Sequence, residues 1–191
     1  MHLDSFEDWD AHKSVILHTV KNSPEPIERA IAIVEKWHNT PRTLYVGNYN
    51  RHPLRVARIL VEEFEVTNPK TLLIALCHDL EEWSEYNMEE LEKEFGTDVK
   101  AGVALLTWKE QDTWGTFFQK ITNSKNKDLI KIKIADKLDN NRAAAFSNSL
   151  SEKQKARDKT ELILRPYIEK TFPQCWKKFE ESIRNLSISN N

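Results

Sequence analysis

The sequence has few of the residues that turn a chain sharply or cross-link it. Its 191 residues include 4 glycines, 7 prolines and 2 cysteines. A sheet of many strands needs frequent turns, so the scarcity of glycine favours a mainly helical protein. Cys77 and Cys175 stand far apart and make neither a disulfide framework nor a paired metal knuckle. We therefore expect an all-α protein in a reducing, cytoplasmic setting.

The sequence also lacks long apolar runs and a strong charge of one sign. Its longest apolar run, from Leu72 to Cys77, is far shorter than the roughly 18 residues that a membrane-spanning helix requires. The first residues lack the basic and apolar pattern of an export signal. The formal net charge of −2 provides no general basic field. We expect no membrane partner and no nucleic-acid partner, and the oligomeric state stays open.

Apolar residues recur at helical spacing along most of the chain. The predicted helices cover 24–38, 53–64, 71–83, 88–95, a segment from 97, a segment from 114, 129–146, 151–167 and a segment from 173. Thr97 and Ser151 are predicted to cap two of them. Residues 130–134 also alternate like a strand, but their step-of-four spacing continues toward Ala145 and favours helix. The sequence predicts one domain over residues 1–191, with a disordered tail at 187–191.

One short stretch concentrates groups that can bind metal. His78 and Asp79 are adjacent, and Glu82 follows Asp79 by three residues, near both if the helix continues. Histidine and aspartate are suitable ligands for manganese, iron or zinc. The dipeptide alone is weak evidence, because a solvated helix end rich in glutamate is the commoner explanation.

Two further residues strengthen the metal interpretation. His52 stands just before a predicted helix, and Asp136 lies among apolar residues of another helix. An unpaired buried carboxylate costs several kcal/mol, so Asp136 needs a partner, and a metal ion could serve. Two imidazoles and two carboxylates can hold one divalent ion and leave positions for water and a phosphate oxygen. Five cations could supply positive charge to a phosphorylated ligand: Arg42, Lys131, Lys133, Lys137 and Arg142. Lysines and arginines on helices are usually solvated, so Arg42 is the one favoured for this role and the other four are expected to be solvated.

The order His52, His78-Asp79, Asp136 is similar to the H…HD…D signature of the HD phosphohydrolase superfamily. The flanking segments 49–60, 71–79, 95–107 and 132–140 resemble the hydrolase domain of RelA/SpoT-type enzymes. The resemblance covers roughly 27–145, so that helices 151–186 are expected to pack on this core. It implies a compact multi-helix HD-domain fold with one manganese ion. It also implies an enzyme that removes the 3′-pyrophosphate of (p)ppGpp, giving GDP or GTP and pyrophosphate.

The resemblance also assigns roles to individual residues. The implied metal ligands are His52, His78, Asp79 and Asp136. Glu82 would act with Asp79 in catalysis by helping to activate or order the attacking water. The implied substrate-binding residues, for a small nucleotide, are Asn140, Arg42 and Tyr49.

One position departs from the family pattern. After the His-Asp pair the family usually has Glu-Asp, whereas this chain has Glu82-Trp83. Glu81 lies about 100° away around a helix and is an imperfect substitute. Trp83 is expected to pack rather than to stack on a base. Two alternatives to (p)ppGpp hydrolysis therefore stay open: a broader HD-domain nucleotidase or phosphatase, and a catalytically weak module that binds a nucleotide or another protein. We expect no room for a synthetase domain within this length.

Overall fold

The structure of the protein is a computed structural model that describes residues 8–38 and 49–186. All regular structure in these two ranges is helical, and neither range contains a β-strand, which confirms the predicted all-α fold class. No helix in these ranges is both long enough and apolar enough to cross a membrane. Arg42 and the predicted tail 187–191 lie outside the described residues.

The described chain forms α-helices joined by short connections. The first six are α1 (Trp9–Thr19), α2 (Glu25–Trp37), α3 (Arg51–Phe64), α4 (Pro69–Cys77), α5 (Leu80–Trp83) and α6 (Met88–Phe95). They are followed by α7 (Thr97–Leu106), α8 (Trp114–Asn123), α9 (Lys127–Ala145), α10 (Leu150–Lys159), a π-helical turn (Thr160–Leu164), α11 (Arg165–Thr171) and α12 (Pro173–Arg184). α1 was not among the predicted helices.

Side chains at the helix starts satisfy backbone N–H groups that have no partner within the helix. Asn68 accepts from the Lys70 N–H ahead of α4. Two predicted caps are wrong by one or two residues. The N-cap of α10 is Ser149 and not Ser151, and its side chain accepts a hydrogen bond from the Glu152 N–H. The N-cap of α7 is Gly96, with a φ of 89°, so Thr97 is the first residue of that helix and not its cap.

The predicted continuous helix over 71–83 is wrong, because the chain turns at His78 and Asp79. α4 ends at Cys77, and the backbone of Asp79 has φ −104° and ψ −1°, away from helical values. The imidazole Nδ1 of His78 lies 2.7 Å from the Ala75 carbonyl oxygen, which ties the ring back to the end of α4. The predicted helix over 151–167 is helical throughout, and it contains a π-helical turn from Thr160 to Leu164.

α9 occupies the centre of the fold and packs against α3, α4, α10 and α12. Ile130, Ile132 and Ile134 are all buried, so the helix has no single apolar stripe. This burial on several sides explains why the segment also resembled a strand. α12 rests on α9, so that the C-terminal helices contribute to the same core.

An ion pair joins α3 to α9 at the edge of the core. Arg142 donates two hydrogen bonds to Glu63, with Nη1 2.6 Å from Oε1 and Nη2 3.0 Å from Oε2. Lys178 of α12 lies 3.3 Å from the same carboxylate. Burial raises the pKa of Glu63, but Arg142 and Lys178 outweigh it and hold the pKa below the ordinary value of 4.5. The expected solvation of Arg142 is thus wrong, because it pairs with Glu63 while half-buried.

We expect Glu63→Gln to lower the free energy of unfolding by about 1–2 kcal/mol at pH 7, since it removes a charge-assisted bidentate contact. The contribution of a carboxyl with a lowered pKa is present above its unfolded-state pKa and is lost as the pH falls through its folded-state pKa. The difference between wild type and variant should therefore shrink below about pH 4.5. Urea unfolding at pH 7 and at pH 3.5 measures the loss of stability in the variant and its dependence on pH. Equal stability of the two proteins at pH 7 would contradict the expectation, and Glu62→Gln, in the more exposed pair with Arg58, is the control.

Candidate functional site

Three parts of the fold bring the four predicted metal ligands into one buried cluster. His52 lies in the first turn of α3, His78 and Asp79 lie at the turn between α4 and α5, and Asp136 lies in the middle of α9. The Nε2 atom of His52 is 3.6 Å from Oδ2 of Asp79 and 3.5 Å from Oδ1 of Asp136. One ligand atom each from His52, His78 and Asp79 lie within 4.8 Å of one another. The cluster has the residue types and the spacing of a site that could hold a metal ion.

His78 presents a nitrogen lone pair to this cluster. Its Nδ1 lies 2.7 Å from the Ala75 carbonyl oxygen and must therefore carry the proton that it donates. Burial lowers the pKa of His78 more than the neighbouring carboxylates raise it, which favours the neutral imidazole. Its buried Nε2 makes no hydrogen bond among the described residues and lies 3.3 Å from Oδ2 of Asp79. A lone pair facing a carboxylate oxygen is favourable when a cation lies between them.

His52 is held by a carboxylate that the sequence analysis missed. Its Nδ1 lies 2.7 Å from Oδ2 of Asp139, and Arg55 donates two hydrogen bonds to the same carboxylate. Burial would raise the pKa of Asp139, but the charge of Arg55 and the bonds to His52 lower it to about 2. Burial would likewise lower the pKa of His52, yet its bonds to Asp136 and Asp139 leave that pKa raised. The carboxylates around His52 thus favour positive charge in this space.

Asp136 is surrounded by donors from its own helix. Lys133 Nζ lies 2.8 Å and Lys137 Nζ 3.3 Å from its Oδ2, and the Asn140 amide donates to its Oδ1. Although burial would raise the pKa of Asp136, the two lysines hold it well below its ordinary value. Burial lowers the pKa of Lys137 to about 8, and repulsion from Lys133 and Lys159 acts in the same direction. The expected solvation of Lys133 is wrong, because it is buried beside the cluster.

A cavity of about 430 Å³ opens onto the cluster. Its wall includes the two aspartates Asp79 and Asp136 together with Asn140, Tyr49 and Glu82. The tyrosine hydroxyl donates to Asp79, and its ring stacks on His52. The predicted site residues that the structure describes therefore face or adjoin one cavity, while Arg42 lies outside the described residues.

Glu82 and its neighbours occupy the rim of this cavity. The Glu82 carboxylate accepts a hydrogen bond from the Trp108 backbone N–H at 3.1 Å. Burial, reinforced by the charge of Asp79, raises the pKa of Glu82. Trp83, which was expected to pack, is 46% exposed and lines the cavity. Glu81 does not replace the missing acid, because Lys109 and Thr107 bind its carboxylate.

The chain was compared with known proteins. No protein-family model matches it. It is 32% identical over 143 residues to a GTP pyrophosphokinase of Streptomyces coelicolor, covering 71% of this chain and 17% of that enzyme. It is 46% identical over 52 residues to a guanosine-3′,5′-bis(diphosphate) 3′-pyrophosphohydrolase of Xenopus tropicalis, covering 27% of this chain and 29% of that enzyme. The chain thus spans less than a third of the length of these two relatives.

A solved structure extends the likeness to nearly the whole fold. It belongs to a metazoan orthologue of SpoT that hydrolyses ppGpp, and it matches with a TM-score of 0.61 and 26% identity. The match covers 84% of this chain and 89% of that structure. The all-α fold and the buried His-Asp cluster agree with this likeness. In sequence and fold the chain is therefore similar to the HD-type hydrolase domain of the RelA/SpoT enzymes.

Proposed function

We propose that this domain is a metal-dependent guanosine-3′,5′-bis(diphosphate) 3′-pyrophosphohydrolase that converts (p)ppGpp into GDP or GTP and pyrophosphate. The observation that carries the proposal is the buried group of His52, His78 and Asp79, with Asp136 beside His52. This group adjoins a cavity in a fold similar to that of a ppGpp hydrolase. The proposal keeps a small nucleotide as the partner, a cytoplasmic location and a single domain over residues 1–191.

The donor set of the cluster fits a divalent ion, and we propose manganese. Its proposed ligands are His52, His78, Asp79 and Asp136, because the Nε2 atoms of the two histidines and the carboxylate oxygens of the two aspartates converge. The orphaned Nε2 of His78 supports this assignment, because a buried nitrogen without a partner costs free energy that a ligand bond offsets. When bound, such an ion makes its water more acidic and neutralises charge on phosphoryl oxygens.

Glu82 is the proposed proton acceptor for the attacking water. Its carboxylate lies on the cavity wall with Asp79, and the Trp108 N–H holds it in place. A raised pKa brings a carboxylate closer to neutral pH, where a general base works best. Water would bond to the phosphorus next to the ribose 3′-oxygen. The bond between that phosphorus and the 3′-oxygen would break and pyrophosphate would leave. The 3′-oxygen would take up a proton, balancing the one that the attacking water gives to Glu82, and so become the 3′-hydroxyl of the ribose.

Cations and aromatic rings at the cavity support a phosphorylated ligand. Lys137 and Lys159 lie 4.4 and 4.7 Å from the centroid of the Trp114 ring. Both lysines line the same cavity as Asp136, so phosphate oxygens that enter this cavity would meet positive charge. Asn140 on the same wall, Tyr49 and Arg42 stay proposed substrate-binding residues.

A second candidate function is a broader HD-domain nucleotidase or phosphatase. The half-exposed indole of Trp83 stands where the family usually has an acid, and it lines the cavity. An exposed aromatic face can stack on any base, which would relax the preference for guanine. The missing acid and the added stacking surface are the observations that favour this second candidate.

A substrate panel tests the proposal. Metal-stripped protein would be supplied with Mn²⁺ and with ppGpp, GTP, deoxynucleotides or NADPH. We expect pyrophosphate release from ppGpp that EDTA stops and added Mn²⁺ restores, because the ion supplies much of the transition-state stabilisation. Inorganic phosphate released from the other nucleotides would support the second candidate. If every substrate survives and no ion binds, the domain is a binding module and the proposal fails.

A further inference from the structure

We infer that Asp139 and Arg55 form a positioning pair that fixes the ring of His52 and thereby strengthens metal binding. The inference rests on the proposed metal site. Asp139 Oδ2 lies 2.7 Å from His52 Nδ1, while Arg55 donates from Nε to Oδ1 at 2.8 Å and from Nη2 to Oδ2 at 3.1 Å. The three side chains form a continuous chain of hydrogen bonds from α9 to α3.

Stability alone does not account for this pair. Arg55 and Asp139 are both almost fully buried. Removing two charges from water costs several kcal/mol per ion, and well-packed apolar residues often stabilise a core as well or better. What an apolar pair could not supply is a charged acceptor aimed at one nitrogen of His52. Orientation of that ring is therefore the contribution that distinguishes the pair.

The acceptor selects the tautomer of His52. A carboxylate at Nδ1 keeps a proton on that nitrogen, which leaves Nε2, the nitrogen that faces Asp79 and Asp136, as the one available to bind a metal ion. The same carboxylate increases the electron density of the ring and so its strength as a ligand. Tyr49 stacks on the ring, with centroids 5.3 Å apart, and restricts its tilt.

The two histidines of the site are fixed by different means, which explains the need for Arg55. His78 donates to the carbonyl oxygen of Ala75, whose direction the end of α4 already sets. His52 instead uses a side chain, and a carboxylate can rotate about its own bonds. The fork of Arg55 binds both oxygens of Asp139 and stops that rotation. Arg55 and Asp139 also line a second cavity, of about 330 Å³.

Asp139→Asn tests the inference, because an amide has one acceptor oxygen for three donors. We expect calorimetry with the metal-stripped protein to show a dissociation constant for Mn²⁺ that rises about 10–100-fold. Arg55→Lys, which keeps the charge but loses the fork, should weaken Mn²⁺ binding less, and it carries the test if Asp139→Asn does not fold.

Glu63→Gln is the matched control, because it breaks another bidentate pair between α3 and α9 that does not touch His52. It should reduce stability and leave the affinity for Mn²⁺ unchanged. The inference is overturned if Asp139→Asn and Arg55→Lys bind Mn²⁺ like wild type, or if wild type binds no Mn²⁺. If wild type binds Mn²⁺ with the expected losses in the variants but leaves ppGpp intact, the proposed function fails and the positioning pair stands.

Discussion

Asp79→Asn is expected to abolish metal binding. It should also lower the rate of ppGpp hydrolysis by at least about 10³-fold, because the proposed metal ion would supply several kcal/mol of transition-state stabilisation. Oδ2 of Asp79 lies 3.6 Å from Nε2 of His52 and 3.3 Å from Nε2 of His78. The same oxygen accepts a hydrogen bond from the hydroxyl of Tyr49. An amide at this position has one acceptor oxygen and no negative charge. The remaining ligands would then have too little negative charge to hold the ion.

The same substitution should leave the metal-free fold intact. The new amide can donate to the imidazole nitrogens, and its loss of charge relieves repulsion with Asp136. Added Mn²⁺ should therefore raise the melting temperature of wild type and not that of Asp79→Asn, since only a ligand of the native state stabilises it. Elemental analysis of the purified proteins measures the bound metal.

Asp128→Asn provides the control for this result. Asp128 lies on α9 like Asp136, but its carboxylate accepts from Thr71, away from the cluster. It should bind Mn²⁺ and release pyrophosphate as wild type does. Retention of metal and near-normal hydrolysis by Asp79→Asn would remove Asp79 from the site and require a different mechanism.

The residues of the cluster could be predicted from the sequence, but their local geometry could not. Ligand chemistry restricts a metal site to a few residue types, so His52, His78, Asp79 and Asp136 stand out even in one sequence. The turn at His78 did not stand out, because the apolar run before it and the glutamates after it both suit a helix. At the turn the ring of His78 contacts the carbonyl oxygen of Ala75, three residues earlier, and the residue types alone did not predict this local contact.

The charged residues around the cluster were harder to predict. The sequence predicts a solvated Lys133, because lysines on helices usually are solvated. In the structure α9 is buried on several sides, and Lys133 is buried with it. Asp139 and Arg55 follow Asp136 and His52 by three residues each, so each lies near a ligand on its own helix. That matched spacing is a usable signal only when α3 and α9 are known to face each other.

Glu82→Gln is expected to lower kcat for ppGpp about 10²–10⁴-fold, the usual contribution of a general base, with little change in KM. The amide oxygen of glutamine can still accept the Trp108 N–H, so the local structure should persist. What it loses is the capacity to take a proton from water. Since Glu82 is not among the proposed ligands, the affinity for Mn²⁺ should stay unchanged, which separates this variant from Asp79→Asn.

Glu81→Gln is the matched neighbour for this test. The Glu81 carboxylate is bound by Lys109 at 2.7 Å and by Thr107 at 3.1 Å, so it is not directed at the water. We expect its kcat to stay within about threefold of wild type, as for a surface contact of small energy. Steady-state kinetics of pyrophosphate release measures both variants. If Glu81→Gln loses the activity and Glu82→Gln retains it, the assignment of the general base to Glu82 is wrong and Glu81 has that role.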